Sequence, residues 1–183
     1  TNERLGSAHL YLRYSSQANG EINDLSISPL VEEFTDGIPT IPFYSVLRKV
    51  VSTGELRVIS NNPDDQPVLN YNYLMESKDI QAMRESIRTT LDICNDRTFS
   101  GILGNPISLD KVTVASDDDL DPWIWKNIQT TYHTSGTCKM GPSSDNLAVA
   151  DQFGQVHNLG NLWIGDSSLM PDIIRGDTTA TVV

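Results

Sequence analysis

The sequence predicts an α+β fold, an antiparallel sheet with flanking helices, on three observations. Strand-type alternation fills the first sixty residues, two later segments repeat at helical spacing, and the last fifty residues turn to Gly, Ser, Thr and Asp around short apolar runs. Leu10, Leu12 and Tyr14 alternate with His9, Tyr11 and Arg13, the period-two pattern of a half-buried strand. Leu25 and Ile27, alternating with Ser26 and Ser28, give a second strand that Pro29 ends. Phe43 to Val51 is a longer β-rich run closed by Ser52-Thr53-Gly54, and Glu55 to Ser60 reads as its hairpin partner. The sheet is therefore expected to keep one wet face.

Asn61-Asn62-Pro63-Asp64-Asp65 is a turn cluster. Ser77 is positioned to cap the clearest helix, in which Ile80, Met83, Ile87, Leu91 and Cys94 recur at helical spacing, with Cys94 as core packing. Residues 96–115 are irregular, with room for one short strand. A second helix starts at Ser116, in capping-box-like spacing with Asp119, and carries Trp123, Trp125 and Ile128 toward residue 131, the tryptophans into the core. The acidic run Asp117-Asp118-Asp119 and Asp121 reads as the solvated start of that helix rather than an ion site.

Composition narrows the function. A net charge of −11 argues against nucleic-acid or anionic-membrane partners, which need a basic face. No apolar run approaches the roughly 18 residues of a membrane span. Two cysteines, Cys94 and Cys138, make no disulfide framework and suit a cytoplasmic protein. His9, His133, His157 and the cysteines lie far apart in sequence, without metal-site spacing, so no metal is expected. Thr1-Asn2-Glu3-Arg4 carries no signal pattern, and Ala180-Thr181-Val182-Val183 stops amid apolar residues, so both ends are expected to be cut.

Three stretches carry chemistry. The first is Thr131 to Gly141, with His133 before the small residues Ser135-Gly136-Thr137. A neutral imidazole is the usual side chain for taking a hydroxyl proton near neutral pH. By itself, a histidine in such a place is more often structural. Gly136 and Gly141 have P-loop-like spacing, but Pro142 stands where the lysine is required, which excludes a nucleoside triphosphate site. The second stretch joins Ala148-Val149-Ala150-Asp151 to Val156-His157-Asn158-Leu159-Gly160. The third runs from Trp163 to Pro171 and on to Gly176-Asp177-Thr178-Thr179-Ala180. There, Leu162 to Ile164 reads as a strand, Gly165-Asp166 as a turn where a ligand can approach backbone, and Asp177 as the cap of a helix entry. A plain strand–turn–helix connection explains the same residues equally well. No Gly-x-Ser-x-Gly elbow is present, so a hydrolase reading has no nucleophile.

Taken together, these stretches resemble the C-terminal region of the glucose–methanol–choline (GMC) oxidoreductases. The resemblance rests on Tyr132-His133 with Gly136-Thr137-Cys138-Lys139-Met140-Gly141, on Ala148-Val149 with Asp151, and on Gly165-Asp166 with Ser168, Met170 and Pro171. Upstream, Ser52 to Val58 and Pro67 with Leu69 to Leu74 look like the family's sheet hairpin and the loop before its long helix. The likeness implies an FAD-dependent, choline dehydrogenase-like enzyme that oxidises a small-molecule alcohol by hydride transfer to the flavin. It implies that residues 1–139 are a substrate-domain part and that 140–183 are a returning piece of the FAD-binding α/β domain. A separate N-terminal FAD-binding part, with the Gly-x-Gly-x-x-Gly loop absent here, would complete the enzyme, and the chain alone would be inactive.

The same resemblance makes His133 the acceptor of the hydroxyl proton. It places Gly165, Asp166 and Ser167 at the ribityl–pyrophosphate part of FAD, and Thr178, Thr179 and Ala180 at the flavin pyrimidine edge, where negative charge grows on reduction. The family usually sets a second His or Asn beside the first histidine; the matching residue here is Thr179, which can hydrogen-bond a substrate oxygen but cannot act as a base. Asp177 stands where many relatives carry Asn, and a carboxylate there opposes flavin reduction unless it turns away to cap the helix. Two other functions share the scaffold: hydroxynitrile-lyase chemistry, which needs a paired base, and a non-catalytic isolated domain.

Overall fold

The computed structural model describes residues 10–18, 20–30 and 33–182; His9 of the first predicted strand and Val183 lie outside them. The described residues fall into two compact units, one within Thr1–Val51 and Leu74–Gln129, the other within Ser52–Tyr73 and Thr130–Val183.

In the first unit, β1 (Leu12–Tyr14), β2 (Leu25–Pro29) and β5 (Phe43–Leu47) form an antiparallel sheet with β2 central, and β3 (Glu33–Thr35) pairs with β4 (Ile38–Thr40). Register decides which face is covered. Leu25 lies opposite Leu47 and Ile27 opposite Ser45, so these four share one face. Ser45 Oγ meets Thr90 Oγ1 at 2.6 Å, which lays helix α1 (Ser77–Cys94) across that face. Leu25 and Ile27 are 0% and 2% exposed beneath it.

The opposite face is not wet at β2, contrary to the alternation rule. Ser26 and Ser28 are buried because Arg48 folds over them: its Nε donates to Ser26 Oγ at 2.9 Å, and its guanidinium lies 5.7 Å from the centre of the Tyr11 ring. Ser28 Oγ donates to the Leu10 carbonyl. Serine at these positions packs polar groups that have partners, so the sequence pattern is that of a two-sided strand with one polar side.

Helix α1 corrects its predicted face in the same way. The fully buried positions are Asp79, Ala82, Ser86 and Leu91, whereas Ile80, Met83 and Ile87 are only half-buried. Small residues let the helix approach the sheet closely, which an isoleucine stripe would prevent. Ser77 does not cap the helix; the cap position is Glu76, whose side chain makes no capping hydrogen bond. Asp79 instead works in the first turn, where a carboxylate suits the helix dipole. Both its oxygens accept from the Val51 amide, at 3.0 and 3.1 Å, fixing the chain that leaves the sheet. Asp24, also fully buried, accepts from the amide of Ser16 at 2.7 Å and from its hydroxyl at 2.5 Å.

Residues 96–115 hold a 3₁₀ turn (Arg97–Phe99) and a short helix, α2 (Lys111–Ala115), rather than a strand. Asp110 starts α2 by accepting from the Thr113 amide at 2.7 Å. Helix α3 (Asp117–Asn127) begins as predicted at Ser116, whose hydroxyl accepts from the Asp118 amide, and stops four residues short of the expected end at 131. Its core residues are Leu120 and Ile124; Trp125 is 47% exposed, and Trp123 is half-buried with its indole N–H on the Ser108 carbonyl. The acidic run is more than a solvated start. Arg84 grips both oxygens of Asp121 at 2.7 and 2.6 Å and also reaches Asp117, which Arg88 meets at 2.6 Å, so the run docks α3 on α1.

In the second unit, β6 (Glu55–Arg57) pairs with β7 (Val68–Asn70), not with β5 as the hairpin pattern suggested. Gly54 explains the close pairing, because a Cβ there would collide with the Asn70 carbonyl. Leu162 to Ile164 does not form a ladder strand; only an isolated bridge, Gln155 to Trp163, is made. The rest of the unit holds two more isolated bridges, Met140 to Ala150 and Ala150 to Val156, a 3₁₀ turn and a short C-terminal helix among turns.

Two outcomes are expected. Asp79→Ala should lower unfolding free energy by about 1–3 kcal/mol in urea denaturation, because it orphans the Val51 amide, and Asp79→Asn should recover part of that. The Asp121 carboxyl is held below the ordinary range by the Arg84 guanidinium, and that of Asp110 by the Thr113 amide. A carboxyl lowered by folding contributes stability above its unfolded value of about 4, and the contribution disappears as pH falls through the folded value. The melting temperature should therefore hold from neutrality to about pH 5 and drop below about pH 4; Asp121→Asn should remove on the order of 1 kcal/mol at neutral pH and flatten the acid slope.

Candidate functional site

Every motif residue from 131 onward lies in the second unit, and one set of backbone hydrogen bonds organises them. Ser167–Leu169 is a single 3₁₀ turn. Its three successive carbonyls accept from alternate amides of the segment that follows His133: Ser167 from Gly136 at 3.2 Å, Ser168 from Cys138 at 2.9 Å, and Leu169 from Met140 at 2.8 Å. The Ser167 hydroxyl adds a bond to the Thr134 carbonyl at 3.0 Å. Gly136 is required for this approach. Its φ of 83° is left-handed, and a Cβ would press on the Met170 carbonyl at 3.3 Å.

The segment continues into a knot of turns. Met140 bridges to Ala150, which is fully buried, and Ala150 bridges to Val156. Asp151 accepts from the amides of Phe153 and Gln155 through one oxygen, closing a turn. His157 has Nε2 at 3.0 Å from the Gly141 carbonyl, which can only accept, so this nitrogen carries a proton and the residue is a structural tie. Lys139 pairs with Asp145 at 2.7 Å, and this lysine holds the Asp145 carboxyl below the ordinary range.

His133 sits at the head of this platform. Tyr132, just before it, adopts a left-handed backbone with φ of 61°, and its side chain is 87% exposed while that of His133 is 25% exposed. A tyrosine in that region costs on the order of 1–3 kcal/mol, a strain that surrounding structure must over-determine. The imidazole is held at both nitrogens. Nδ1 is 3.0 Å from Thr178 Oγ1, and Nε2 is 3.3 Å from Asp177 Oδ1. Thr178 is 8% exposed.

Helix α4 (Thr179–Val182) follows directly, and the Thr178 carbonyl accepts from the Thr181 and Val182 amides. The cap position is thus Thr178, one residue after the expected Asp177. Asp177 has turned toward His133. Thr179 and Ala180 are exposed on α4, and the side chains meeting the imidazole from this segment are those of Asp177 and Thr178. Sequence motifs could find His133 and the Gly165–Ser167 turn, but not the Asp177 and Thr178 contacts, which close over a separation of 45 residues.

The Gly165–Ser167 turn is open to solvent on its glycine side. A Cβ built on Gly165 meets nothing within 4 Å, so the backbone there is open to a ligand. Asp166 is exposed and accepts from the Ser168 amide at 2.8 Å. Hydrogen bonds from Ser168, through its side chain and its amide, hold the Asp166 carboxyl below the ordinary range. It therefore stays an acceptor-only anion, suited to ribityl hydroxyls and repelled by a pyrophosphate. Among the described residues no group of three or more His, Cys, Asp or Glu could hold a metal ion, and no helix is long and apolar enough to cross a membrane.

Comparison with known proteins gives this geometry a context. The family model described as GMC oxidoreductase matches residues 50–183. The oxygen-dependent choline dehydrogenase of Cronobacter sakazakii is 38% identical over 132 residues, 72% of this chain and 23% of that protein. Oxygen-dependent choline dehydrogenase 1 of Chromohalobacter salexigens is 37% identical over 133 residues, 73% of this chain and 24% of the relative. The chain thus spans about a quarter of the length of these curated relatives. Among solved structures, pyridoxine 4-oxidase from Mesorbium loti superposes with a TM-score of 0.78 at 20% identity, over 94% of this chain and 35% of that one. Formate oxidase from Aspergillus oryzae gives 0.78 at 22% identity, over 90% and 30%. At those identities the superpositions show the fold, mixed helix and antiparallel sheet. The family match, which spans most of the chain and includes His133, Asp166 and Thr178, shows that the chain belongs to the GMC oxidoreductases, a family of FAD-dependent enzymes.

Proposed function

We propose that the chain is the C-terminal portion of an FAD-dependent enzyme that oxidises a small alcohol at its CH–OH group, with His133 accepting the hydroxyl proton. The observation that carries this is the placement of His133, half-buried and held at both ring nitrogens, at the head of the segment that is hydrogen-bonded to the Ser167–Leu169 turn. Relatives named as choline dehydrogenases favour an alcohol as the substrate class. Residues 1–139 then belong to the substrate-domain part and 140–183 to the returning part of the FAD domain, with an N-terminal FAD-binding part as the partner. The free thiols of Cys94 and Cys138 suit a cytoplasmic setting.

In this proposal Gly165, Asp166 and Ser167 hold the ribityl region, while Thr178, Thr179 and Ala180 lie toward the pyrimidine edge. FAD, when bound, supplies the acceptor for the hydrogen and electron pair that leave the alcohol carbon. The work of this chain is proton management and orientation. An imidazole that takes the hydroxyl proton as the C–H bond breaks contributes on the order of 10²–10⁴ in rate. Thr179 offers a hydroxyl to the substrate oxygen and cannot replace the base.

Anaerobic mixing of the full-length protein with alcohols, followed through flavin absorbance, tests the proposal. Wild type should bleach. His133→Ala should retain its flavin and bleach about 10²–10⁴-fold more slowly. An unchanged rate would remove His133 from the chemistry, and cyanide release from a hydroxynitrile without bleaching would favour the lyase reading. The 183-residue chain purified by itself should carry little or no flavin; stoichiometric FAD would contradict the division proposed here.

A further inference from the structure

We propose that Asp177 and Thr178 are positioning residues that together fix the tautomer of His133, holding the proton on Nε2 and the lone pair on Nδ1. The inference starts from donor and acceptor counting. An ionised carboxylate can only accept. With Asp177 Oδ1 at 3.3 Å from Nε2, a bare lone pair on that nitrogen would set two acceptors against each other, whereas an N–H turns the contact into an attraction. The neutral ring then has its lone pair on Nδ1. Thr178 Oγ1, 3.0 Å away, is a hydroxyl that can rotate to donate to it. Both contacts are therefore satisfied by one tautomer, and the opposite tautomer breaks the contact to Asp177.

An asparagine at 177 could turn its amide either way and so leave the tautomer open, while aspartate leaves one choice. Thr178 is buried, so its hydroxyl has little water to turn to. The consequence for chemistry rests on the proton-acceptor role proposed above: the accepting nitrogen is Nδ1, whose lone pair takes the hydroxyl proton once the Thr178 hydroxyl has rotated away from it, and Asp177 stays beside the N–H as the ring gains its second proton. A wrong tautomer in a catalytic histidine costs up to about 10⁴ in rate where it has been measured in a triad enzyme.

The test reads the ring directly and needs neither flavin nor substrate. The full chain is labelled with ¹⁵N-histidine, and long-range ¹H–¹⁵N correlations are recorded up the pH range until the ring signals plateau in the neutral form. The sequence has three histidines, and His133→Gln identifies the signal that disappears. The wild-type ring should show Nε2 protonated and Nδ1 bare. Asp177→Asn should move the population toward the Nδ1–H form, Asp177→Glu should restore the wild-type pattern, and Thr178→Val, which removes the donor to Nδ1, should lower the share of the Nε2–H form while Thr178→Ser leaves it unaltered. A wild-type ring protonated on Nδ1, or an Asp177→Asn spectrum identical to wild type, would overturn the inference. Should Asp177→Asn not fold, the wild-type tautomer decides by itself. A ring in the expected tautomer together with fast flavin bleaching by His133→Ala would reject the proton-acceptor role and leave this inference standing.

Discussion

Three carbonyls in a row, those of Ser167, Ser168 and Leu169, receive alternate amides from Gly136, Cys138 and Met140, and the site depends on this pairing. The left-handed Gly136 and the turn at Thr137–Cys138 set alternate amides against successive carbonyls of the 3₁₀ turn. The pairing joins parts of the chain some thirty residues apart, and its parallel register, with Ser167 beside Thr134 and Gly136, brings His133 and the Gly165–Asp166 turn to the same end. Without it, an imidazole at 25% exposure and an exposed carboxylate would be two separate surface features.

The price of such a platform is strain and buried polarity, and both are visible. Tyr132 and Gly136 take left-handed backbone within five residues of one another. Conformations of that kind persist where neighbouring hydrogen bonds over-determine them. The first unit follows a related principle by other means. Its core contains Asp24, Asp79, Ser26, Ser28 and Ser86 along with Leu25, Ile27 and Leu120. Asp24 and Asp79 each tie a chain segment by accepting backbone amides, so buried carboxylates here take the part that longer strands would otherwise play.

Local pattern made much of this legible. Alternation located β1 and β2, a β-rich run located β5, helical spacing located α1, and Ser116 marked the start of α3. The failures have physical causes. Helix α2 is five residues long and β7 three, too short for any period to register. Strand β6 pairs with β7 through Gly54, a tertiary fact that no local window contains. Of the expected stripe of α1 only Leu91 is buried, because close packing selected Ala82 and Ser86 over larger apolar side chains. At the site, His133 and the Gly165–Ser167 turn stood out because each sits in a recognisable run. Asp177 and Thr178 did not, since the pattern marked them for a helix cap and for backbone contacts, and only the folded chain brings their side chains to the imidazole.

Amide hydrogen exchange at Gly136, Cys138 and Met140 tests most directly whether the histidine segment and the 3₁₀ turn are one piece. The hydrogen bonds to Ser167, Ser168 and Leu169 predict that the three amides are protected together and open as one cooperative unit, and that Ser167→Ala, which removes the hydroxyl bond to Thr134, weakens their protection in concert. Exchange at the rate of an unstructured loop, or protection that differs widely among the three, would contradict the account.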